Sequence, residues 1–224
     1  MATSATTRTA RSSARRDRER ELIDATRALF DERGLQDAPI EDIARAVGIN
    51  KALIYQHFGS KDELFVLTTT RYLDELAIQL EGVDPELGTL EKFERGWGVY
   101  VDYCLDHPAF VDCSISLMRQ RARELRASVT DSVWLRLGQS MAACLSPLSR
   151  ILAAGVDDGV FAIEDPDYTA NFLYTQTLGA MHLARIGVGV RQAAPGIPDV
   201  FKVSRDQVRE TCIAATLAAV RPQG

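Results

Sequence analysis

Residues 34–64 read GLQDAPIEDIARAVGINKALIYQHFGSKDEL, and this stretch decides the fold. Apolar residues recur at helical spacing over about 40–47 and again over about 51–57, and Gly48 interrupts the pattern between them. Asn50 stands at the position from which a side chain caps the second helix. The stretch therefore predicts two short helices joined by a tight turn, which is the helix-turn-helix unit.

Two faces are required of such a unit, one that locks the helices together and one that binds a partner. The apolar residues available for the buried face are Ile43, Ala44, Val47, Ile49, Ile54 and Phe58. The polar residues available for the exposed face are Asn50, Lys51, Gln56 and His57. A short helix with an exposed hydrogen-bonding face fits a DNA major groove, which is ~12 Å wide. The segment therefore predicts DNA binding.

The rest of the chain is predicted to be helical nearly throughout, which makes the fold all-α with about nine helices. Ser60 and Glu63 have the spacing of a capping box at the start of a long helix. Pro147 predicts a kink or break in another helix, and the Gly- and Pro-rich stretch 187–198 is interpreted as a linker without strands. The remaining predicted helices cover about 16–33, 61–81, 89–106, 108–126, 128–158, 166–186 and 204–220.

Composition excludes several classes of protein. The 224 residues are 46% hydrophobic and 25% charged, the balance of a globular chain, and no apolar run approaches the length of a membrane span. Cys104, Cys113, Cys144 and Cys212 form no C-x-x-C pair and no zinc pattern, so we expect reduced, mostly buried thiols in a cytoplasmic protein. No catalytic or nucleotide-binding motif stands out. We therefore expect no metal, no cofactor and no enzymatic activity.

Charge is unevenly distributed. The formal net charge is −5, yet the first 20 residues hold six arginines and two acids. Residues 1–15 are interpreted as a flexible basic arm that contacts an anion; plain solubility charge and an organellar transit peptide are the alternatives. The predicted domains are this arm, a helix-turn-helix DNA-binding domain over 16–63, and an effector-binding and dimerisation domain over 64–224.

The helix-turn-helix segment resembles the tetracycline-repressor (TetR) family of bacterial transcription regulators over about residues 16–65. The family's motifs stand in register here as Asp42-Ile43-Ala44, Gly48-Ile49-Asn50, Ile54-Tyr55-Gln56-His57-Phe58 and Lys61-Asp62-Glu63-Leu64. The chain departs from the family at Ala38-Pro39, where Thr-Thr is usual, at Asn50, where Ser is usual, and at Ala52, where Gly is usual. Asp37 is an alternative cap for the first short helix.

The resemblance implies roles for individual residues. Lys51, Ala52 and Gln56 would face base edges, while Tyr55, His57 and Lys61 would contact backbone phosphates. Tyr55 packed on the first helix and Lys61 as a solvated charge are the alternatives. The implied partner is a double-stranded DNA operator with an inverted repeat, bound by a homodimer.

The predicted effector-binding and dimerisation domain, residues 64–224, gives weaker indications of function. Two apolar stripes on the last helix, one with Val208 and Cys212 and the other with Ile213 and Leu217, indicate one face for the core and one for a partner. The resemblance places the dimer interface on the last two helices; a single thick core is the alternative. Apolar and polar residues that could line an effector pocket are Trp97, Tyr100, Phe110, Leu117, Met118, Trp134, Met141, Phe172, Gln176 and His182. For each of them an ordinary core position is the alternative.

The sequence thus predicts a sequence-specific DNA-binding transcriptional regulator, a repressor released from its operator by a hydrophobic small molecule. A nucleic-acid-binding regulator without such a switch is one alternative, and an all-helical carrier or enzyme is another. Arg119, Arg121, Arg123 and Arg126 form a basic run that is either a solvated face or a site for an anionic head group.

Overall fold

The computed structural model describes residues 2–34 and 39–222, with side chains described from residue 13 onward. This part of the chain is predominantly helical and adds one β-hairpin, β1 and β2. None of its helices combines the length and apolar composition needed to cross a bilayer. The elements are α1 Ala2–Arg33, α2 Ile40–Ala46, α3 Lys51–His57, α4 Lys61–Glu81, α5 Thr89–Asp106, α6 Pro108–Arg119, α7 Ala122–Ser128, α8 Asp131–Asp157, α9 Pro166–Ile186, β1 Val188–Ala194, β2 Ile197–Lys202 and α10 Arg205–Val220.

Helix α1 begins well before the predicted start at residue 16. It runs from Ala2, so residues 2–15 continue the helix, whereas the prediction from the sequence is a separate flexible arm. Ion pairs one turn apart support its described part, with Arg15 2.8 Å from Glu19 and Arg18 2.6 Å from Glu21. Whether this segment contacts an anion stays a prediction.

The hairpin corrects the interpretation of residues 187–198 as a linker. Gly187 ends α9 in the left-handed region at φ +70°, and β1 then pairs antiparallel with β2. Pro195 and Gly196 form the turn, with Gly196 at φ +79°. Pro followed by Gly at the second central position is a turn signal in its own right. The Pro and Gly residues of this stretch therefore mark a hairpin turn.

Two further helix boundaries differ from the prediction. The helix predicted over 108–126 is interrupted after Arg119 and resumes at Ala122. Helix α8 continues through Pro147, so the predicted break does not occur there, while the predicted kink stays a prediction. The flanking residues Cys144 and Leu148 are 6% and 3% exposed, so burial on both sides of the proline holds the helix together.

The described chain divides into two compact units. Unit 1 contains the described residues up to Tyr72 together with Asp112–Gln139, and unit 2 contains Leu73–Val111 together with the described residues from Ser140 onward. Helices α4, α6 and α8 each contribute residues to both units. The functional division predicted at residues 63 and 64 stays a prediction.

Unit 1 is built on the contacts of the short helices with α1. Leu22 and Ile54 are fully buried, and Phe58 is 2% exposed. On α4, the Tyr72 hydroxyl donates to Asp31 Oδ1 of α1 at 2.8 Å, while the Arg27 guanidinium lies 4.4 Å from the Tyr72 ring centre. Burial and the neighbouring Asp31 carboxylate raise the pKa of Tyr72, so its hydroxyl stays a donor.

Unit 2 packs α10 against α5 and α9. The inward stripe of α10 is Val208, Cys212, Thr216 and Val220, all buried. The structure therefore differs from the two predicted stripes of α10, because Ile213 and Leu217 of the second stripe are half-buried beside the inward one. All four cysteines are buried free thiols, as predicted. Burial raises the pKa of Cys144 to about 12, which keeps that thiol protonated at neutral pH.

Candidate nucleic-acid interface

The turn between α2 and α3 has the conformation that its glycine permits. Gly48 lies at φ +69° and its N–H donates to the Arg45 carbonyl at 3.1 Å. The Ile49 N–H then donates to the Ala44 carbonyl at 2.9 Å. A residue with a Cβ is strained at this φ, so Gly48 sets the angle at which α3 leaves α2.

Asn50 caps α3 as the sequence predicts. Its backbone is extended and its side-chain oxygen accepts the Leu53 N–H at 2.9 Å. This bond occupies the amide oxygen of a residue that was also a candidate for contacting DNA. The first role of Asn50 in the structure is therefore to define where α3 begins.

The residues predicted to lock the two helices together are largely enclosed. Ile43 and Ala44 of α2 are 2% and 4% exposed, and Ile54 of α3 is fully buried. Val47 and Ile49, in the turn, are half-buried. Burying one such aliphatic side chain contributes ~1.5–3 kcal/mol, so this face holds α3 in a single orientation.

One side of α3 faces solvent. Lys51, Ala52, Tyr55 and Gln56 are all exposed, and their spacing places them on one face of the helix. Tyr55 is 42% exposed, which disagrees with the alternative that it packs inward on α1. The structure thus brings four of the seven predicted DNA-contact residues onto one open surface, which we call the α3 face.

His57 does not share the openness of the α3 face. Its side chain is 15% exposed, and its Nδ1 lies 3.8 Å from Glu19 Oε1 of α1. This Nδ1 atom is buried and makes no hydrogen bond with any described residue. His57 therefore lies at the junction between α3 and α1.

Lys51 is held by an ion pair that the sequence pattern did not reveal. Its Nζ lies 2.6 Å from Glu41 Oε1 of α2. The hydrogen bond to Glu41 raises the pKa of Lys51, and the same bond lowers the pKa of Glu41. Ten residues separate the two, so no helix-periodicity rule pairs them. For Lys51 to reach a base edge it must exchange this carboxylate for the DNA.

The start of α4 lies beside α3 in the chain and presents Lys61 to solvent. The Ser60 hydroxyl accepts the Glu63 N–H at 3.1 Å, which is half of the predicted capping box. The Glu63 carboxylate accepts the Gly59 N–H at 2.7 Å, whereas the predicted capping box would have it accept the N–H of Ser60. Lys61 therefore stands at a well-capped helix N-terminus, where an anion is favoured.

The buried Glu63 carboxylate also reaches a distant part of unit 1. Its second oxygen accepts the Thr130 N–H at 2.7 Å, and the Ser60 hydroxyl donates to the Ser128 carbonyl at 3.1 Å. Burial raises the pKa of Glu63, but the bonds from Thr130 and Gly59 outweigh this and lower it overall. These contacts, which we call the Glu63 latch, tie the segment after α3 to the residues that precede α8.

The motif residue Asp42 joins α1 to α2. One of its carboxylate oxygens lies 2.8 Å from Arg33 Nη1 at the end of α1, and the other lies 2.6 Å from Arg45 Nη1. Helix α2 begins after Pro39, which is extended and provides no side-chain cap. Asp37, the alternative cap, and Ala38 lie outside the described residues.

The predicted effector-pocket residues are divided between the two units. Leu117, Met118 and Trp134 belong to unit 1, and the other seven belong to unit 2. Trp97, Tyr100 and Phe110 are at most 2% exposed, whereas Met118 and Phe172 are 44% and 51% exposed. Gln176 and His182 are also exposed, and Leu117, Trp134 and Met141 are intermediate.

None of these ten residues lines either of two cavities of unit 2 that are formed wholly by described residues. The larger, of about 530 Å³, is mostly polar and includes Asp102, which pairs with Arg209 at 2.5 Å. The smaller, of about 180 Å³, is lined by Cys104, Leu105, Pro108, Val111, Met181, Ala184, Arg185 and Arg205. In the basic run of unit 1, Arg126 lies 2.9 Å from Asp131.

Residues 22–67 match the profile of the family described as bacterial regulatory proteins, tetR family. The matched segment contains the α2–turn–α3 unit, Asp42 and the α3 face, together with Ser60 and Glu63 of the Glu63 latch. The chain belongs to the TetR family. Proteins of this family are DNA-binding transcriptional regulators.

Relatives of this family match the chain to different extents. The HTH-type transcriptional regulator HbdR of Aromatoleum sp. (strain CIB) is 38% identical over 71 residues, which cover 30% of this chain and 31% of HbdR. The HTH-type transcriptional repressor KstR2 of Rhodococcus jostii (strain RHA1) is 29% identical over 179 residues, or 77% of this chain and 82% of KstR2. The chain thus aligns with less than a third of HbdR but with most of KstR2.

Solved structures share the fold over almost the whole chain. RolR in complex with resorcinol superposes with a TM-score of 0.66 at 20% identity, covering 95% of this chain and 91% of RolR. The ketosteroid transcriptional regulator KstR2 of Mycobacterium tuberculosis gives a TM-score of 0.60 at 22% identity, covering 92% of this chain and 96% of KstR2. The all-helical TetR architecture is thereby confirmed, with the hairpin as an addition to the prediction.

Proposed function

We propose that this TetR-family chain is a homodimeric repressor that binds an inverted-repeat operator through α3 and releases it when a small apolar molecule binds its C-terminal part. The observation that carries the proposal is the α3 face, which is open to solvent while Ile54 behind it is fully buried. The name of the KstR2 relative supports repression rather than activation. A DNA-binding regulator acts where the genome is, so we infer a cytoplasmic location.

Side-chain chemistry distributes the DNA contacts. Gln56 and Lys51 are suited to base edges, since Gln pairs with adenine and Lys with guanine, and Ala52 contributes a small apolar surface. Tyr55 and Lys61 are suited to phosphate oxygens. His57 would contact phosphate only after moving out of its junction with α1, because its side chain is 15% exposed.

The dimer is proposed to form through α9 and α10. Tyr168, Phe172, Leu183 and Ile186 of α9 are 42–68% exposed. On α10 the outward residues Ala214, Ala215, Ala218 and Ala219 are small, which lets another helix approach closely. An apolar stripe beside a small-residue stripe is the surface that a two-fold four-helix interface needs.

The operator is tested by footprinting the purified protein on its own flanking promoter DNA. We expect a symmetric footprint with two half-sites ~34–36 Å apart, or a small multiple of that spacing. A single asymmetric half-site protected at saturation would contradict the dimeric reading. Protection that depends on no sequence would contradict the role of the α3 face.

Trp97 offers a hydrogen-bond donor for the effector. It is 1% exposed and lies between Phe93 and Tyr100, with ring centres 5.8 and 5.4 Å away. Its Nε1 atom is buried and has no hydrogen-bond partner among the described residues. A buried donor without a partner costs ~1–3 kcal/mol, and a ligand that brings an acceptor recovers this energy. We therefore place the effector beside Trp97, in a site that opens when the ligand enters.

Replacing Trp97 by Phe is expected to weaken the effector response and leave operator affinity unchanged. Phe keeps the aromatic packing and removes the N–H, so the ligand concentration for half-release should rise about tenfold, within the ~1–3 kcal/mol of one buried hydrogen bond. The measurement is operator binding titrated with a panel of fatty-acyl and aromatic compounds.

The matched control is Trp134→Phe, which changes the second tryptophan of the chain, in unit 1. It should respond to the panel like the wild type. Equal responses from Trp97→Phe and the wild type would remove Trp97 from the effector site. Ligands that bind the protein and leave operator affinity unchanged would favour the alternative of a regulator without a small-molecule switch.

A further inference from the structure

The β-hairpin is joined directly to the two helices of the proposed dimer interface. Gly187 alone separates α9 from β1, and Val203 and Ser204 separate β2 from α10. The Val203 N–H donates to the Gly187 carbonyl at 2.9 Å and closes the base of the hairpin. Any surface that the hairpin presents is therefore continuous with α9 and α10.

One face of the hairpin is partly covered by its own side chains. The Phe201 ring lies over Gly189, where a Cβ atom would come within 2.4 Å of Phe201 Cζ. Arg191 pairs with Asp199 at 2.7 Å and lies 5.8 Å from the Phe201 ring centre. Phe201 is 39% exposed, so its own neighbours cover this face in part, and Gly189 leaves the room that the ring occupies.

The opposite face, which we call the valine face, is left open. Val190 and Val200 stand directly opposite each other in the register, and they are 73% and 60% exposed. Val188 lies on the same face, two residues before Val190, and is 39% exposed. A two-stranded hairpin is marginal in water unless a face packs against another element. Three exposed β-branched residues on one face indicate that the valine face is covered in the working protein.

We propose that the valine face packs on the N-terminal half of α9 of a second copy of this chain. The proposal rests on the proposed homodimer through α9 and α10. Two copies of one helix run antiparallel when the two-fold axis that relates them is perpendicular to both helix axes. The exposed Gly179, around which a Cβ would meet nothing within 4 Å, allows the crossing near the middle of α9. The C-terminal end of one α9 then lies level with the N-terminal end of the other.

The surface at that N-terminal end is apolar and exposed. Tyr168 and Phe172 are 68% and 51% exposed, and their rings stack with centres 6.2 Å apart. A strand of seven residues is ~23 Å long, and half of the 21-residue α9 is ~16 Å long. The hairpin therefore has the length to cover this ring pair on the partner.

Charge supports the same arrangement. Lys202 is exposed and pairs with Val188 in the register, so it lies on the valine face. The segment that begins α9 carries the exposed acids Glu164, Asp165 and Asp167. A hairpin laid across the partner's α9 would bring a lysine toward these acids, whereas two hairpins laid against each other would bring two lysines together.

The first experiment measures the dimer dissociation constant of the full chain by sedimentation. Val190→Asp is expected to raise this constant at least tenfold, because a charge cannot be buried against Tyr168 and Phe172 without a partner. The matched control is Ala193→Asp, since Ala193 is exposed and lies at the irregularity outside the paired register. It should dimerise like the wild type, and circular dichroism establishes that both variants are folded.

The second experiment locates the contact. A Val190→Cys protein is mixed with a Phe172→Cys protein and treated with a short bismaleimide. We expect a cross-linked heterodimer, and none when Ala193→Cys replaces Val190→Cys; the native thiols are buried and should not compete.

The outcomes separate this proposal from the proposed function. A monomeric wild type that binds no inverted repeat would overturn the proposed dimer. A dimeric wild type whose dissociation constant is unchanged by Val190→Asp, with no Val190–Phe172 cross-link, would overturn only the role of the hairpin. Loss of DNA or effector binding in Val190→Asp with the dimer intact would also overturn it, since the valine face would then serve another partner.

Discussion

Gln56→Ala is expected to weaken operator binding by about 1–3 kcal/mol per half-site, roughly 5- to 150-fold, and to abolish discrimination at one base pair. Gln56 is exposed on the α3 face, five residues after Lys51 at the N-terminal end of α3, and the opposite side of this helix is anchored by the fully buried Ile54. The substitution removes a bidentate partner without disturbing the fold, because Ala is a good helix former. Binding to operators substituted one base pair at a time measures both effects.

Tyr55→Phe provides the contrast between base and phosphate contacts. Removing this hydroxyl should weaken binding to all sequences alike, because a phosphate contact carries no sequence information. Glu32→Ala is the control, since Glu32 is 66% exposed at the end of α1 and lies off the α3 face. The assignment fails if Gln56→Ala lowers affinity equally for operator and random DNA, or if Tyr55→Phe changes the preferred sequence.

A substitution at Glu41 is expected to change operator affinity in the opposite direction from Gln56→Ala. Glu41→Gln removes the carboxylate that lies 2.6 Å from Lys51 Nζ. Lys51 is then available to the DNA and one negative charge leaves the interface, so operator affinity should rise. A loss of operator affinity in Gln56→Ala together with a gain in Glu41→Gln would show that α3 contacts the operator. A helix that is only exposed to solvent would give neither change.

Local features of the interface could be predicted from the sequence because their causes are local. The Gly48 turn, the Asn50 cap and the burial of Ile54 each depend on residues within a few positions along the chain. Helix periodicity then places Lys51 and Gln56 on the opposite side. A residue's place on one helix is what single-sequence reasoning delivers best.

Long-range contacts could not be predicted in the same way. Lys51 meets Glu41 ten residues away, and Glu63 meets Thr130 across 67 residues. Neither pair has a spacing rule, since each depends on how separate helices pack. The approach of the His57 ring to Glu19 of α1 could not be predicted for the same reason.

The hairpin was not predicted, although its turn carries a local sequence signal. Pro195-Gly196 is a turn signal, but Pro198 within the second strand reads as a strand breaker. Neither strand is buried against the described chain, so the usual apolar alternation is short. A strand whose packing partner is another molecule leaves little trace in its own sequence.

Glu63→Gln is expected to destabilise unit 1 by about 2–3 kcal/mol, because the carboxylate accepts two backbone N–H groups and an amide cannot accept both. The Gly59 and Thr130 N–H groups donate to different oxygens of Glu63, each at 2.7 Å, and the residue is 6% exposed. In glutamine one of these oxygens becomes an NH₂ donor that faces another donor. Unfolding in urea followed by Trp134 fluorescence in a Trp97→Phe background reports on unit 1 alone.

The same substitution should change the pH dependence of stability. The pKa of Glu63 is lowered in the folded protein, so its contribution is present above the unfolded value of about 4.3 and is lost as pH falls through the folded value. The wild type should therefore lose stability below about pH 4.5 more steeply than Glu63→Gln. Glu32→Gln, which removes a carboxylate that is 66% exposed at the end of α1, is the matched control for the loss of one acidic residue.

The latch is also a candidate for carrying the proposed effector signal to α3. Glu63 holds the segment after α3 to Thr130, which directly precedes α8, and both α4 and α8 continue from unit 1 into unit 2 along the chain. A latch that transmits the effector signal predicts that Glu63→Gln binds operator but is released less by ligand, by part of the ~1–3 kcal/mol typical of such coupling. If Glu63→Gln loses stability yet shows the same ligand-induced loss of operator affinity as the wild type, the latch serves folding alone. The signal must then travel through α4 itself.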